Sequence, residues 1–181
     1  MLQGCYIIGI DPGVPVTMAM LDPQGKWVAH AKPRPAGATP KNDVFMFTDV
    51  LKKWQRHVSK TNYKLVAVIE QVNPRPREGV VSVGKFMGSF WMAQAACAAL
   101  DVPFALISPR RWKPRLSLND EKAKSVALAK TLFKESGRAT WRLSKQKDHD
   151  FAEAALLAHY LRHHEPEPQL PYDHGLSITG I

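Results

Sequence analysis

The sequence has few cysteines and no long hydrophobic run. Its two cysteines, Cys5 and Cys97, lie far apart in apolar surroundings, so we expect small buried side chains rather than a disulfide framework. No apolar stretch approaches the roughly 20 residues that span a bilayer, and the N-terminus lacks the pattern of a signal peptide. These absences predict an intracellular protein of a reducing compartment, with no membrane partner.

Acidic residues are scarce in one part of the chain. Residues 110–147 hold twelve lysines and arginines against three acids, so this segment accounts for the whole net charge of +9. A basic region of this kind is typical of a surface that contacts a phosphate backbone. The alternative is a solvated face that only keeps the protein soluble.

Hydrophobic periodicity predicts five strands and four helices. Asn42 is a plausible N-cap for the first helix, and Ser117 or Asn119 for the third. The second helix has little charge and many small residues, so we expect it to be covered on both sides, by its own domain or partly by a second subunit. The expected strands are 4–10, 16–21, 26–31, 64–70 and 104–107, and the expected helices are 42–59, 83–100, 117–136 and 147–163.

This order of elements predicts an α/β protein. Three meandering strands followed by right-handed crossovers give a mixed five-stranded sheet flanked by helices, an order that matches the ribonuclease H-like fold. We expect one domain over residues 1–163. Residues 164–181 contain several prolines and glycines and are expected to form a weakly structured tail.

Two of the predicted strands end on an acid. Asp11 follows the apolar run of the first strand in "GIDPG" (9–13), and Glu70 closes "KLVAVIE" (64–70). If these strands are parallel neighbours, both carboxylates lie at the sheet edge where open α/β sheets usually bind ligands. Taken singly, Asp11 can be a turn initiator before Pro12 and Gly13, and Glu70 a solvated strand end.

The last predicted helix, "KDHDFAEAALLAHY" (147–160), brings more acids. Asp150 and Glu153 are three residues apart and share the helix face that should point to the core, where an unpaired charge is costly. Asp148 lies on the other side and suits an N-cap. His149, four residues before Glu153, can be a ligand or a general base. Acids in a first helical turn can also simply favour the positive end of the helix dipole.

Four acids on three elements suggest a metal site. Asp11, Glu70, Asp150 and Glu153 can hold two divalent cations about 4 Å apart, an arrangement that activates water and stabilises a leaving oxygen of a phosphodiester. Oxygen-rich sites suit Mg²⁺, with Mn²⁺ as a substitute, whereas zinc usually recruits Cys or more His. No Cys-x-x-Cys pair is present.

Five segments in order resemble the RuvC-like Holliday junction resolvases, in particular the phage and prophage forms. They are "IGIDPG" (8–13), "VIEQV" (68–72), "GVVSVGKFMGSF" (79–90), "VPFALISPRRWK" (102–113) and the acidic helix (147–160). The resemblance implies a ribonuclease H-like nuclease, a homodimer, Mg²⁺-dependent hydrolysis with two ions per site, and paired nicks in four-way or other branched DNA. It also implies work in DNA recombination and repair, in the bacterial cytoplasm or a phage-infected host cell.

The family's site residues can be placed on this chain. Its two strand acids fall on Asp11 and Glu70, and its paired helix acids fall most naturally on Asp150 and Glu153. Phage-type members often have glycine at the position of Asp150, which keeps Asp148 and His149 open as alternate ligands. The candidate DNA contacts are Arg75, Arg77, Lys85, Arg110, Arg111 and Lys113.

One more departure from the family pattern and two other functions bear on the interpretation. Family members often carry a wedging aromatic shortly after the second acid, where this chain has Asn73-Pro74-Arg75. Trp112 can anchor its loop to the core while the neighbouring charges face solvent. A non-catalytic branched-DNA-binding module is the leading alternative function. An actin-like or sugar-kinase-like ATPase needs two such domains, for which 181 residues leave no room, so no nucleotide cofactor is expected.

Overall fold

The structure is a computed structural model, and it describes residues 2, 4–33, 40–71, 79–139 and 148–168. Five strands and five α-helices form the described fold. In chain order the elements are β1 (Cys5–Asp11), β2 (Thr17–Leu21), β3 (Trp27–Ala31), α1 (Pro40–Val58), β4 (Lys64–Glu70), α2 (Val80–Ala99), β5 (Phe104–Ile107), α3 (Pro109–Arg115), α4 (Lys122–Leu132), a 3₁₀ helix (Lys134–Ala139) and α5 (His149–His164).

The strands form one mixed sheet in the order β3-β2-β1-β4-β5. The first three strands are antiparallel neighbours, because the tight turn at Asp22–Gly25 reverses the chain: the Asp22 carboxylate accepts the Gln24 and Lys26 N–H groups. β1, β4 and β5 run parallel, joined by the α1 and α2 crossovers. The prediction of a mixed five-stranded sheet flanked by helices is therefore confirmed.

Each face of the sheet carries its own hydrophobic core. Alternate strand residues such as Ile8, Ile10 and Ile69 pack against α1 and α2. The intervening residues, such as Ile7, Val66 and Val68, pack against α3, α4 and α5. Because β1 is the central strand and is buried on both faces, it is apolar at nearly every position.

Helix α5 lies very close to β1. A Cβ built on Gly9 would be 1.8 Å from the Ala154 carbonyl oxygen, a distance that no side chain can occupy. The helix presents buried alanines to the strand, among them Ala154, Ala155 and Ala158. Small residues on both partners thus bring the start of α5 against the end of β1.

Several predicted helix boundaries are wrong. α1 begins at Pro40, so Asn42 lies inside it, and α4 begins at Lys122 without a capping contact from Ser117 or Asn119. The Asn119 side chain instead accepts the Glu121 N–H in a turn before the helix. α5 begins at His149, two residues later than expected. The third predicted helix is split into α4 and the 3₁₀ helix.

The segment after β5 is a helix and not the loop that we expected. Pro109 occupies the first turn of α3, where the missing N–H of proline costs nothing and its fixed φ suits a helix. The predicted tail from residue 164 is described only as far as Pro168, and most of it lies outside the described residues.

Helix α2 is longer than predicted, and the described residues cover one of its sides. Phe90, Ala93 and Cys97 are buried against the sheet. On the opposite side, Val81 and Trp91 are exposed, and a Cβ on Gly88 would meet nothing within 4 Å. None of the described helices combines the length and the hydrophobicity of a membrane-spanning segment.

Candidate active site

Asp11 and Glu70 lie side by side where two parallel strands end. Ile10 pairs with Ile69, so the two acids are the next residues at the same sheet edge. Strand alternation places both on the α5 side, since Gly9 faces α5 and Val68 belongs to the core on that side. The sheet therefore presents two partly buried carboxylates to the start of α5.

The first turn of α5 meets these carboxylates. Asp150 and Glu153 are close enough to Asp11 to influence its ionisation. Asp148 occupies the N-cap position without a side-chain capping hydrogen bond, and its charge acts on His30. His149 contacts Asp150, with Nε2 2.6 Å from Oδ1. We use the name acid cluster for Asp11, Glu70, Asp150 and Glu153.

Each carboxylate of the acid cluster accepts a hydrogen bond from another residue or forms an ion pair with one. The Gly13 N–H donates to Asp11 Oδ1 at 3.0 Å, which fixes the turn after β1. The indole N–H of the buried Trp112 donates to Glu70 Oε1 at 2.9 Å. Trp112 therefore anchors α3 to the core and orients Glu70 at the same time.

The two acids of α5 are held by lysines from other elements. Lys32, which follows β3, places Nζ 2.7 Å from Asp150 Oδ2. Lys113, on α3, places Nζ 3.1 Å from Glu153 Oε2, and the Ser125 hydroxyl of α4 donates to Glu153 Oε1 at 2.9 Å. Three parts of the fold, the end of β3, α3 and α4, thus contribute side chains that hold the two carboxylates.

Burial and neighbouring like charges together shape the electrostatics of the acid cluster. Burial raises the pKa of Asp11 to about 8, and the three other carboxylates act in the same direction. Burial also raises the pKa of Glu70, although the Trp112 N–H and the Lys113 ammonium oppose the shift. Burial alone would lower the pKa of Lys113, but the Glu153, Glu70 and Asp120 carboxylates together outweigh it and the pKa is raised. The site therefore favours additional positive charge.

The donor set fits a hard divalent cation, because all four members of the acid cluster offer carboxylate oxygen and their mutual repulsion is relieved by a cation. These four carboxylates lie farther apart than the ligands around a bound metal ion. Among the residues that the structure describes, no three His, Cys, Asp or Glu side chains form a metal-binding group. A cation at this edge would compete with Lys32 and Lys113 for the α5 carboxylates.

The candidate DNA contacts lie in different surroundings. Arg110 is exposed on α3 and Lys85 is exposed on α2. Arg111 pairs with Glu165, with Nη2 2.8 Å from Oε2, so it also ties α3 to the end of α5. Lys113 points into the acid cluster through its ion pair with Glu153. Arg75 and Arg77 lie outside the described residues.

Two residues at this site were missed from the sequence. Lys32 has no signal, because a lysine just after a strand is an ordinary surface residue. Ser125 does have a signal in the sequence. It forms a stripe at four-residue spacing with Ala129 and Phe133, which are both apolar and buried. A serine on such a stripe needs a partner, and here the partner is Glu153.

Comparison with known proteins shows which fold positions this site. No protein-family model and no curated protein matches the chain. Two solved structures match over 91% of this chain and 99% of their own chains. Thermus thermophilus RuvC matches at 17% sequence identity with a TM-score of 0.55. T. thermophilus RuvC in complex with Holliday junction substrate matches at 18% sequence identity with a TM-score of 0.57. At such identities the likeness concerns the fold alone. The chain has the ribonuclease H-like fold of RuvC, as its motifs predicted.

Proposed function

We propose that this protein is a divalent-metal-dependent endonuclease that resolves Holliday junctions, and that it also acts on other branched DNA, by paired nicks. The observation that carries the proposal is the convergence of four carboxylates at one edge of a RuvC-like sheet, where burial, reinforced by the three neighbouring carboxylates, raises the pKa of Asp11 to about 8. Such a cluster costs folding free energy, which a purely structural edge has no reason to retain.

The acid cluster would hold Mg²⁺, with Mn²⁺ as a substitute and two ions per site. When bound, these ions supply Lewis-acid activation of water and stabilise the leaving oxygen of a phosphodiester. The protein's own residues orient the ligands: Trp112 fixes Glu70, and Lys113 and Ser125 fix Glu153. Asp148 and His149 remain alternate ligands beside Asp150.

The surface beside the acid cluster suits a phosphate backbone. Helix α3 carries exposed Arg110 and Arg115, and α4 carries exposed Lys122 and Lys124. Both helices contact Glu153, through Lys113 and Ser125, so the basic residues lie on the elements that border the acids. A DNA strand attracted by these cations would therefore pass the carboxylates.

The nicking of a synthetic four-way junction tests the function. With Mg²⁺ we expect symmetric nicks in opposed strands, no nicks without a divalent cation, and little cutting of a linear duplex of the same sequence. Denaturing gels with each strand labelled in turn give the positions. Junction binding without cutting in Mg²⁺ or Mn²⁺ would instead support the non-catalytic branched-DNA-binding module.

We propose a homodimer that associates through the exposed side of α2. Val81, Gly84, Gly88 and Trp91 recur there at helical spacing, and Trp91 is 60% exposed. The glycines would let two helices approach closely while the tryptophan supplies apolar area. A second copy would also give the protein two acid clusters, as paired nicks require.

Changing Trp91→Glu is expected to convert the dimer to a monomer, because it places a charge at the centre of the proposed apolar contact. Sedimentation equilibrium measures the mass. Leu132→Glu is the matched control, since Leu132 is an exposed apolar residue of α4, on the other face of the sheet. A wild-type protein that is monomeric both alone and with junction DNA would contradict the proposed dimer.

A further inference from the structure

Ser125 is a buried hydroxyl with an unusual partner for a helical serine. The residue is fully buried on α4, and its Oγ donates to Glu153 Oε1 at 2.9 Å. Hydroxyls inside helices often bond to the carbonyl four residues earlier, and Thr131 of the same helix does so with Ala127. Ser125 instead contacts a carboxylate on a neighbouring helix, so its polar group serves the acid cluster.

Both oxygens of Glu153 are engaged at once. The Ser125 hydroxyl donates to Oε1, and Lys113 Nζ lies 3.1 Å from Oε2. A carboxylate has about four acceptor positions, so each oxygen keeps one for a further partner. A cation that binds through a single oxygen has to compete with one donor. A cation that chelates both oxygens has to displace or crowd two.

Mg²⁺ and Ca²⁺ differ in how many carboxylate oxygens they bind. Mg²⁺ requires near-octahedral geometry and is usually held by one or two carboxylates, with water completing the shell. Ca²⁺ takes six to eight oxygens and often binds carboxylates through both oxygens. A Glu153 carboxylate whose two oxygens are both engaged by protein donors therefore favours Mg²⁺, the smaller ion.

We propose that Ser125 is a positioning residue that makes the acid cluster select Mg²⁺ over Ca²⁺, by occupying Glu153 Oε1 and so opposing chelation through both oxygens. The inference rests on the proposed function, because it assumes that the acid cluster binds a divalent cation. It goes further in assigning cation selectivity to a residue that is not itself a ligand.

Equilibrium binding of the two cations tests this role without reference to activity. Isothermal titration of wild-type protein with Mg²⁺ and with Ca²⁺ gives the ratio of the two affinities. For Ser125→Ala we expect Mg²⁺ affinity to fall roughly tenfold, in the range seen when a residue that orients a ligand is lost, and Ca²⁺ affinity to be maintained or raised. The ratio therefore falls at least about tenfold.

Three further proteins complete the design. Thr131→Ala removes a hydroxyl from the same helix and should keep the wild-type ratio. Ser125→Thr retains the hydroxyl and should also show the wild-type ratio of affinities. The nearly isosteric Ser125→Cys has a weaker donor, so it should shift the ratio in the same direction as Ser125→Ala, but by less. The Cys variant also provides the test if Ser125→Ala does not fold.

The outcomes separate this inference from the proposed function. If wild-type protein binds neither cation, both fail. If it binds Mg²⁺ but the Ala and Cys variants keep the same ratio, only the role of Ser125 fails. A fall in both affinities by the same factor, together with a lower melting temperature, would identify a purely structural serine and would also overturn the inference.

Discussion

Asp11→Asn is expected to abolish strand cutting and, at pH 8, to raise the melting temperature of the metal-free protein by several degrees. The loss of activity follows from the proposed function, because Asp11 belongs to the proposed metal site, and removing a ligand charge from a metal-assisted step costs several kcal/mol of transition-state stabilisation, about a thousandfold or more in rate. The gain in stability follows because the variant removes a charge that is destabilised by burial and by three neighbouring carboxylates.

The sign of the pH dependence follows from the raised pKa of Asp11. Between its ordinary value and about 8, the folded protein binds more protons at this group than the unfolded chain. The free energy of unfolding of the wild-type protein therefore falls as pH rises through this range. The Asn variant lacks this dependence, so the difference in melting temperature should be large at pH 8 and should disappear near pH 4.

Asp22→Asn is the matched control for this experiment. Asp22 is an acid at the turn between β2 and β3, where its Oδ1 accepts two backbone N–H groups, and the amide oxygen of Asn can accept both. Thermal unfolding with a chelator at pH 4 and pH 8, and junction nicking with Mg²⁺, measure the two effects. An Asp11→Asn protein that cuts as well as wild type would remove Asp11 from the site.

Gly9→Ala is expected to destabilise the fold severely. The added methyl would lie 1.8 Å from the Ala154 carbonyl oxygen and 3.1 Å from the Ala158 nitrogen, both of which are backbone atoms. Neither can move without shifting α5 away from β1. Overpacking of a core typically costs 1–3 kcal/mol, and a clash with a helix backbone on the central strand should reach or exceed about 3 kcal/mol.

The same shift would separate the two halves of the acid cluster, since Asp150 and Glu153 lie on α5 and Asp11 lies on β1. Activity should therefore fall further than the folded fraction does, and urea unfolding combined with nicking per folded molecule tests this. Gly79→Ala is the control: Gly79 has an ordinary φ of −64° and open space around a Cβ, so a change within about 1 kcal/mol is expected. An unchanged midpoint for Gly9→Ala would contradict the close approach of α5.

Much of the sheet and the meeting of its acids follow from local patterns. Apolar runs that end in an acid located β1 and β4, and their parallel pairing puts Asp11 and Glu70 at one edge. Helix α3 was missed because the segment after β5 was expected to be a loop, although its Pro109 lies at a first turn, where proline favours a helix. A single proline does not distinguish the two cases until the tertiary position of Trp112 is known.

The partners of the acids could not be predicted, because they are tertiary contacts. Lys32 is 118 residues from Asp150 in sequence, and Ser125 is 28 from Glu153. Periodicity shows that a residue lies on a face, but not what the face meets. The same limit applies to α2: its composition predicts an apolar helix, while its exposed side appears only when the neighbouring elements are in place.

The burial of both native cysteines has a practical consequence for single-molecule work. Cys5 and Cys97 are buried, and burial raises the pKa of the Cys97 thiol to about 12, so it is a poor nucleophile at neutral pH. Lys60 lies exposed in the turn before β4, at the sheet edge opposite the acids and about 20 Å away by the length of that strand. A cysteine introduced there would accept a maleimide dye selectively, so a fluorescent protein can be made without altering the core or the acid cluster.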